Sequence, residues 1–67
     1  MIHLTINGKP ERVDAALTVL ALLEQRELAG KRLAVERNGE IVPKGRHADT
    51  RLADGDRLEI VVAVGGG

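Results

Sequence analysis

The chain has 67 residues, ten Lys and Arg against ten Asp and Glu, no cysteine and no Phe, Trp or Tyr. That composition excludes disulfides, argues against a zinc site of the usual Cys/His kind, and removes aromatic stacking on bases or sugars. The balanced charge leaves no net field to draw in nucleic acid or an anionic membrane. A single domain is expected, close to the lower size limit for autonomous folding and held by packing alone. No apolar stretch approaches the ~20 residues of a membrane span, and the N-terminus lacks a basic-then-apolar signal pattern, so a cytosolic location is expected.

Ile2, Leu4 and Ile6 alternate with His3 and Thr5, the period of a half-buried strand. Asn7-Gly8 follows as a hairpin turn, because both residue types tolerate positive φ. The returning segment from Lys9 to Asp14 is polar except for Val13. Pro10 has no amide to donate, which suits an edge strand or a strand start.

Thr18 is placed to cap a helix, its hydroxyl taking one of the unpaired first-turn amides. Val19, Leu22 and Leu23 then form one apolar stripe at the i, i+3, i+4 spacing, with Leu20 on its flank and Glu24, Gln25 and Glu27 pointing away. Gly30 is expected to stop the helix, and Leu28 to fold back onto the core.

Leu33 and Val35 belong to a third strand that ends at a second turn signal, Asn38-Gly39. Ile41 and Val42 make a short fourth strand, stopped by Pro43, and Lys44 to Arg51 is polar and irregular. Asp54-Gly55-Asp56 reads as a tight turn. The last strand sets Leu58, Ile60, Val62 and Val64 on one face, and Glu59, Val61 and Ala63 on the other.

The order β-β-α-β-β-β, with one helix whose single stripe needs a sheet to cover it, gives an α+β class. If the first and last strands lie side by side, the two most apolar strands occupy the centre. That is the β-grasp, or ubiquitin-like, arrangement: a mixed sheet of four to five strands packed on one helix. Residues 1–64 form this domain and residues 65–67 a flexible glycine tail.

The tail, Gly65-Gly66-Gly67, follows directly on the last strand. Without side chains its backbone can fit a slot that any Cβ would block. Three extended residues reach only about 10 Å, so a terminal carboxylate would stay close to its own domain. The expectation is a slender handle whose tip can be activated and loaded.

With this outline, the chain resembles the ThiS family, the sulfur carriers of thiamine thiazole synthesis. The resemblance rests on Asn7-Gly8, on Thr18-Val19 with Leu22-Leu23, and on the run Asn38 to Pro43. Asp54-Gly55-Asp56, Glu59-Ile60-Val61 and Val64-Gly65-Gly66-Gly67 complete it. Each piece alone is an ordinary turn or strand; their order and spacing are specific. The resemblance implies a carrier, a co-substrate with no catalytic residues of its own. A ThiF-like partner related to E1 enzymes would use ATP to adenylate Gly67. Sulfur from a cysteine desulfurase would displace AMP to leave a thiocarboxylate, and a ThiG-like thiazole synthase would take the sulfur. Gly65 and Gly66 would form the neck. No bound cofactor is implied beyond the covalent adenylate and thiocarboxylate. Many relatives carry an aromatic near the position of His47 and another just before the glycines, where this chain has Ala63. The smaller residues imply a flatter docking surface.

Arg57, Glu59, Val61 and Ala63 face outward on the last strand and form the candidate docking patch. His3 and His47 have no neighbour in sequence to orient them as bases or ligands, and turn chemistry explains Asp54 and Asp56. Lys44, Arg46, His47 and Arg51 form a basic loop, either simply solvated or steering an acidic partner. The free chain is expected to be monomeric, with neither nucleic acid nor membrane as partner. Two rivals share the fold: a MoaD-type carrier of molybdopterin synthase, and a β-grasp interaction module without covalent chemistry. The short length and the ungapped Val64-Gly65 junction favour the ThiS reading over the first. No nucleophile, metal cluster or phosphate loop supports an enzyme.

Overall fold

The computed structural model describes residues 1–63; Val64, Gly65, Gly66 and Gly67 lie outside the described residues. Its elements are β1 (Ile2–Ile6), β2 (Lys9–Val13), α1 (Val19–Gln25), β3 (Leu33–Arg37), β4 (Glu40–Ile41) and β5 (Arg57–Val62). They form a five-stranded sheet in the order β2-β1-β5-β3-β4 with α1 packed on one side. β1 and β5 run parallel, and the remaining pairs are antiparallel. This is the β-grasp arrangement, with the last strand at the centre.

Both Asn-Gly hairpin turns form. Asn7 and Gly8 sit at φ 51° and 83°, Asn38 and Gly39 at 52° and 86°, the left-handed pair that matches the twist of two-residue hairpins. Pro10 falls on the edge strand β2, opposite Thr5, where its missing amide breaks no ladder.

Thr18 caps α1, its Oγ1 accepting from the Ala21 amide at 3.1 Å. The helix ends earlier than the glycine at position 30 suggests. Glu27 takes the left-handed conformation at φ 59°, the Leu28 amide donates to the Leu23 carbonyl at 2.8 Å, and the Glu27 amide donates to Glu24 at 3.1 Å. These two bonds close a Schellman motif without glycine. The compensation is Leu28, which the reversal turns back against the core as expected. Gly30, at φ 86°, belongs to the turn that follows. The fourth strand is also shifted: it covers Glu40–Ile41, and Val42 lies just past it, though its amide still reaches the Val35 carbonyl at 2.8 Å.

Val19, Leu22 and Leu23 present the helix stripe to Leu4, Ile6, Val35, Leu58 and Ile60. Each is essentially sealed from water, and burying one such side chain contributes about 1.5–3 kcal/mol. The irregular stretch after β4 is pinned to the start of α1. The Val19 amide donates to Thr50, and the Leu52 amide to Leu17, each at 2.9 Å. No helix among the described residues is long and apolar enough to cross a membrane.

Candidate functional site

The candidate tail follows β5 in sequence and lies outside the described residues, so the site is read from the way β5 is held. At its start the strand is fixed by a buried carboxylate. Asp56, 5 % exposed, accepts from the Ala53 amide at 2.8 Å, from Arg37 Nε at 2.7 Å and from Asn38 Nδ2 at 3.0 Å. Burial pushes its carboxyl up, but the Ala53 amide, Arg37 and Asn38 together outweigh that and hold it below the usual carboxylate value.

Two asparagines clamp the strand from either side. Asn7 Oδ1 accepts from the Ile60 amide at 2.7 Å, and its Nδ2 donates to the Ile60 carbonyl at 3.2 Å. Asn38 Oδ1 accepts from the Arg57 amide at 2.9 Å. A carboxamide carries a donor and an acceptor side by side, so it substitutes for a neighbouring peptide unit where a strand has run out. Reading the Asn-Gly pairs as turns alone misses this second use. The signal was Asn in both turns, where Asp or Gly would serve the backbone equally well but lacks the paired donor and acceptor.

Along β5 the faces alternate as expected. Leu58 and Ile60 point into the core, while Arg57, Glu59 and Val61 are exposed, as is Ala63 just past the strand. Val61 is 63 % exposed. The sheet register adds residues the sequence reading left out: Ala34 stands opposite Val61, Glu36 opposite Glu59, and Ile41 opposite Glu36. Ile41 is 62 % exposed, so two large apolar side chains flank a pair of facing carboxylates. Like charges directly across a strand pair are destabilising, so this arrangement is one the fold does not need.

The remaining candidates have structural roles. His47 is buried, and its Nε2 donates to the Val42 carbonyl at 3.0 Å, holding the 3-10 turn Lys44–Arg46 against β4. His3 is exposed; its amide donates to Asp54 Oδ1 at 2.7 Å, and its ring Nδ1 lies 3.5 Å from the same oxygen. Lys44, Arg46 and Arg51 are exposed. Among the described residues no three His, Asp or Glu side chains gather as a metal ligand set.

At the far end of β5 the Ala63 amide donates to the Arg32 carbonyl at 2.8 Å, and the described chain stops there. Beside this point lies an open hollow of about 610 Å³. Leu20, Leu23, Leu28 and Leu33 form its apolar floor, and Val61 and Ala63 line its edge. Ala29, Gly30, Gly45 and Ala48 complete the wall. The flatter surface expected from small residues near His47 and at Ala63 is therefore not what forms. The helix end and the 3-10 turn are each held in place by their own hydrogen bonds, so small side chains leave a depression there instead of letting the walls close.

The sequence model of the ThiS family matches residues 4–67. The sulfur carrier protein ThiS of Bacillus subtilis is 42 % identical over 65 residues, covering 96 % of this chain and 98 % of that protein. A thiazole synthase of Paramagnetospirillum magneticum is 48 % identical over 66 residues, 98 % of this chain but 20 % of that protein. The chain thus spans about a fifth of the length of the thiazole synthases it matches. The crystal structure of a thiamine biosynthesis protein (ThiS) from Geobacter metallireducens superposes with a TM-score of 0.82 at 38 % identity, covering 98 % of this chain and 100 % of that one.

Proposed function

The chain belongs to the ThiS family, and we propose on that footing that it is a sulfur carrier protein of thiamine biosynthesis. The observation that carries this reading is the end-to-end match: the family pattern runs through Gly65-Gly66-Gly67, and the Bacillus carrier is matched over nearly its whole length.

The chemistry follows from what a carboxylate lacks. Resonance and negative charge make its carbon a poor electrophile. In this reading a ThiF-like enzyme joins the Gly67 carboxylate to AMP and releases pyrophosphate, turning one carboxyl oxygen into part of a good leaving group. The terminal sulfur of a persulfide supplied by a cysteine desulfurase attacks the acyl carbon, and AMP departs. This leaves an acyl disulfide whose S–S bond a thiol then cleaves, the thiol being oxidised to a disulfide. The resulting thiocarboxylate hands its sulfur to thiazole synthase, and the chain acts as co-substrate throughout. The donors that stabilise the adenylated intermediate come from the partner. The reading requires a free carboxylate on Gly67. This chain contributes the slender neck, an exit point fixed by the clamps on β5, and a face of Arg57, Glu59, Val61 and Ala63 for docking. Its place of work is the cytosol, where the ATP and the desulfurase are.

The test is intact mass spectrometry after incubation with ATP, the activating enzyme and a sulfur source. A gain equal to one oxygen exchanged for sulfur, mapped to Gly67, is expected. Gly66→Val should abolish the gain while leaving the fold intact. Supplying the loaded chain to thiazole synthase and to molybdopterin synthase in parallel assigns the pathway. An unchanged mass at the last residue under conditions that load the Bacillus carrier would overturn the proposal.

A further inference from the structure

We propose that the hollow beside Ala63 is a docking pocket for an acidic protein segment that inserts one aromatic side chain. This goes beyond the sulfur chemistry, because it concerns a surface lined by residues 20–63.

The first argument is charge. The whole chain balances ten cationic against ten acidic residues, yet Lys31, Arg32 and Lys44 rim the hollow and among the described residues no acidic side chain lines it. All three are exposed, and none forms an ion pair with a described residue. A site that concentrates one sign in this way selects partners of the other.

Shape and content give the second argument. Binding pockets run to about 300–1,000 Å³, and the hollow, at about 610 Å³, falls inside that range. Leucines form its floor and alanines and glycines much of its wall, and among the described residues no side chain fills it. The energetically dominant residues of protein interfaces are large aromatics seated in pockets of this kind. The chain has no Phe, Trp or Tyr of its own to offer, and the His47 ring on the lining is held by the Val42 carbonyl, so such an anchor must come from outside. Rim cations over the face of an inserted ring add cation–π attraction, favouring tryptophan.

Position supplies the third argument. Val61 and Ala63 belong both to the hollow's edge and to the outer-face patch, so the two surfaces are continuous. A partner seated on that face therefore reaches the hollow with an adjoining segment.

The test uses the full unmodified chain without ATP, so it is independent of sulfur loading. The probe is a short blocked peptide with one tryptophan flanked on both sides by glutamates. Because the protein contains no Trp, Tyr or Phe, the peptide's tryptophan emission reports binding without background. A saturable blue shift is expected, with a Kd on the order of 100 μM or tighter, as befits one pocket rather than a whole interface. Amide shifts in NMR should cluster at residues 28–33 and 44–48. The Lys31→Glu/Lys44→Glu pair should weaken binding by about tenfold or more. Ala48→Phe, which fills the pocket from an exposed position, should weaken it at least as much. Spectra of these variants that match the parent away from the pocket establish that they fold.

Four results overturn the proposal. One is no saturable shift up to about 1 mM peptide, the limit of a weak specific contact. The second is equal binding of a lysine-flanked peptide or of one with alanine in place of tryptophan. The third is binding that Ala48→Phe leaves unchanged. The last is a different occupant: peptide binding that tightens about tenfold when residues 64–67 are removed, or a concentration-dependent dimer that the two-lysine variant dissolves.

Discussion

The two ends of β5 are built on opposite principles. At its start, the carboxylate of Asp56 gathers an amide, a guanidinium and a carboxamide, and Asn7 and Asn38 bond the strand's backbone from either side. At its end no described side chain bonds the strand: the β3 ladder out to Leu33 opposite Val62 and the bond from the Ala63 amide to the Arg32 carbonyl hold the chain beside a hollow, with Val61 exposed next to it. Polar side chains fix register at the start, and small or apolar ones lie at the end. The proposed carrier role would use that division, because a strand that slid along its neighbours would present whatever follows it at a variable depth. The contrast can be broken at either end.

The largest effect is expected at the start. Asp56→Ala removes a buried carboxylate and leaves the Ala53 amide and the Asn38 carboxamide without their partner, though both of those residues are themselves exposed. Arg37, about a third exposed, can turn to water and adds less. The loss should be about 3 kcal/mol, the sum of three hydrogen bonds to a charged acceptor. For a chain this short, that corresponds to on the order of 15 °C in Tm, read by urea and thermal denaturation followed by circular dichroism. Acid gives the same lever a second handle. The folded carboxyl lies below its ordinary value of about 3.9, so its contribution is complete above that pH and disappears as pH falls through the lowered native value. The acid limb of a stability–pH curve should flatten in Asp56→Asn. A limb that keeps its slope would assign the pH dependence to other groups.

Asn7→Gly comes next. Glycine keeps the turn, since it accepts the same positive φ, and removes only the two bonds to Ile60. About 1–2 kcal/mol should be lost. Hydrogen exchange at the Ile60 amide should accelerate more than at the buried amides of α1, which would show that the carboxamide holds β5 and not merely the hairpin.

How much of this could be read beforehand divides along the same line. Features that depend on a few neighbouring residues were legible: the Thr18 cap, both Asn-Gly turns, the edge position of Pro10, and the alternation that exposes Arg57, Glu59 and Val61. The helix end was misplaced because Glu27 adopts a conformation that glycine favours, and only the burial of Leu28 makes that worthwhile. Asp56 looked like one more turn residue because its partners Arg37 and Asn38 lie 19 and 18 positions away. His47 sits in a loop with no period to mark it as buried. The hollow needs the helix end, the 3-10 turn and the end of β5 together, and no single stretch of sequence contains it.

At the far end, the expected effects fall on partners and leave stability nearly untouched. Val61→Asp puts a charge on an apolar part of the outer face that already meets water. Its unfolding free energy should stay within about 0.5 kcal/mol of the parent. If that face is where the activating enzyme sits, kcat/KM for adenylation should drop by about tenfold, the size of a well-seated interface contact. An unaffected rate would move the docking site elsewhere on the molecule.

The smallest effect is the sharpest discriminator, because its two readouts are expected to move in opposite directions. Glu36 and Glu59 stand directly across the β3–β5 pair, and neither forms a salt bridge with a described residue. Facing like charges cost about 0.2–1 kcal/mol on an exposed sheet, so Glu36→Gln should stabilise the domain by a few tenths of a kcal/mol. Were the pair only an accident of surface composition, nothing else should change. A partner with a basic docking surface would instead associate more slowly with the variant, and the deficit would shrink as salt is added, since steering by exposed charges is screened within about 10 Å at 0.1 M ionic strength. A more stable variant whose adenylation rate and salt dependence equal the parent's would remove Glu36 and Glu59 from the docking face and leave Val61 and Ala63 as its functional part.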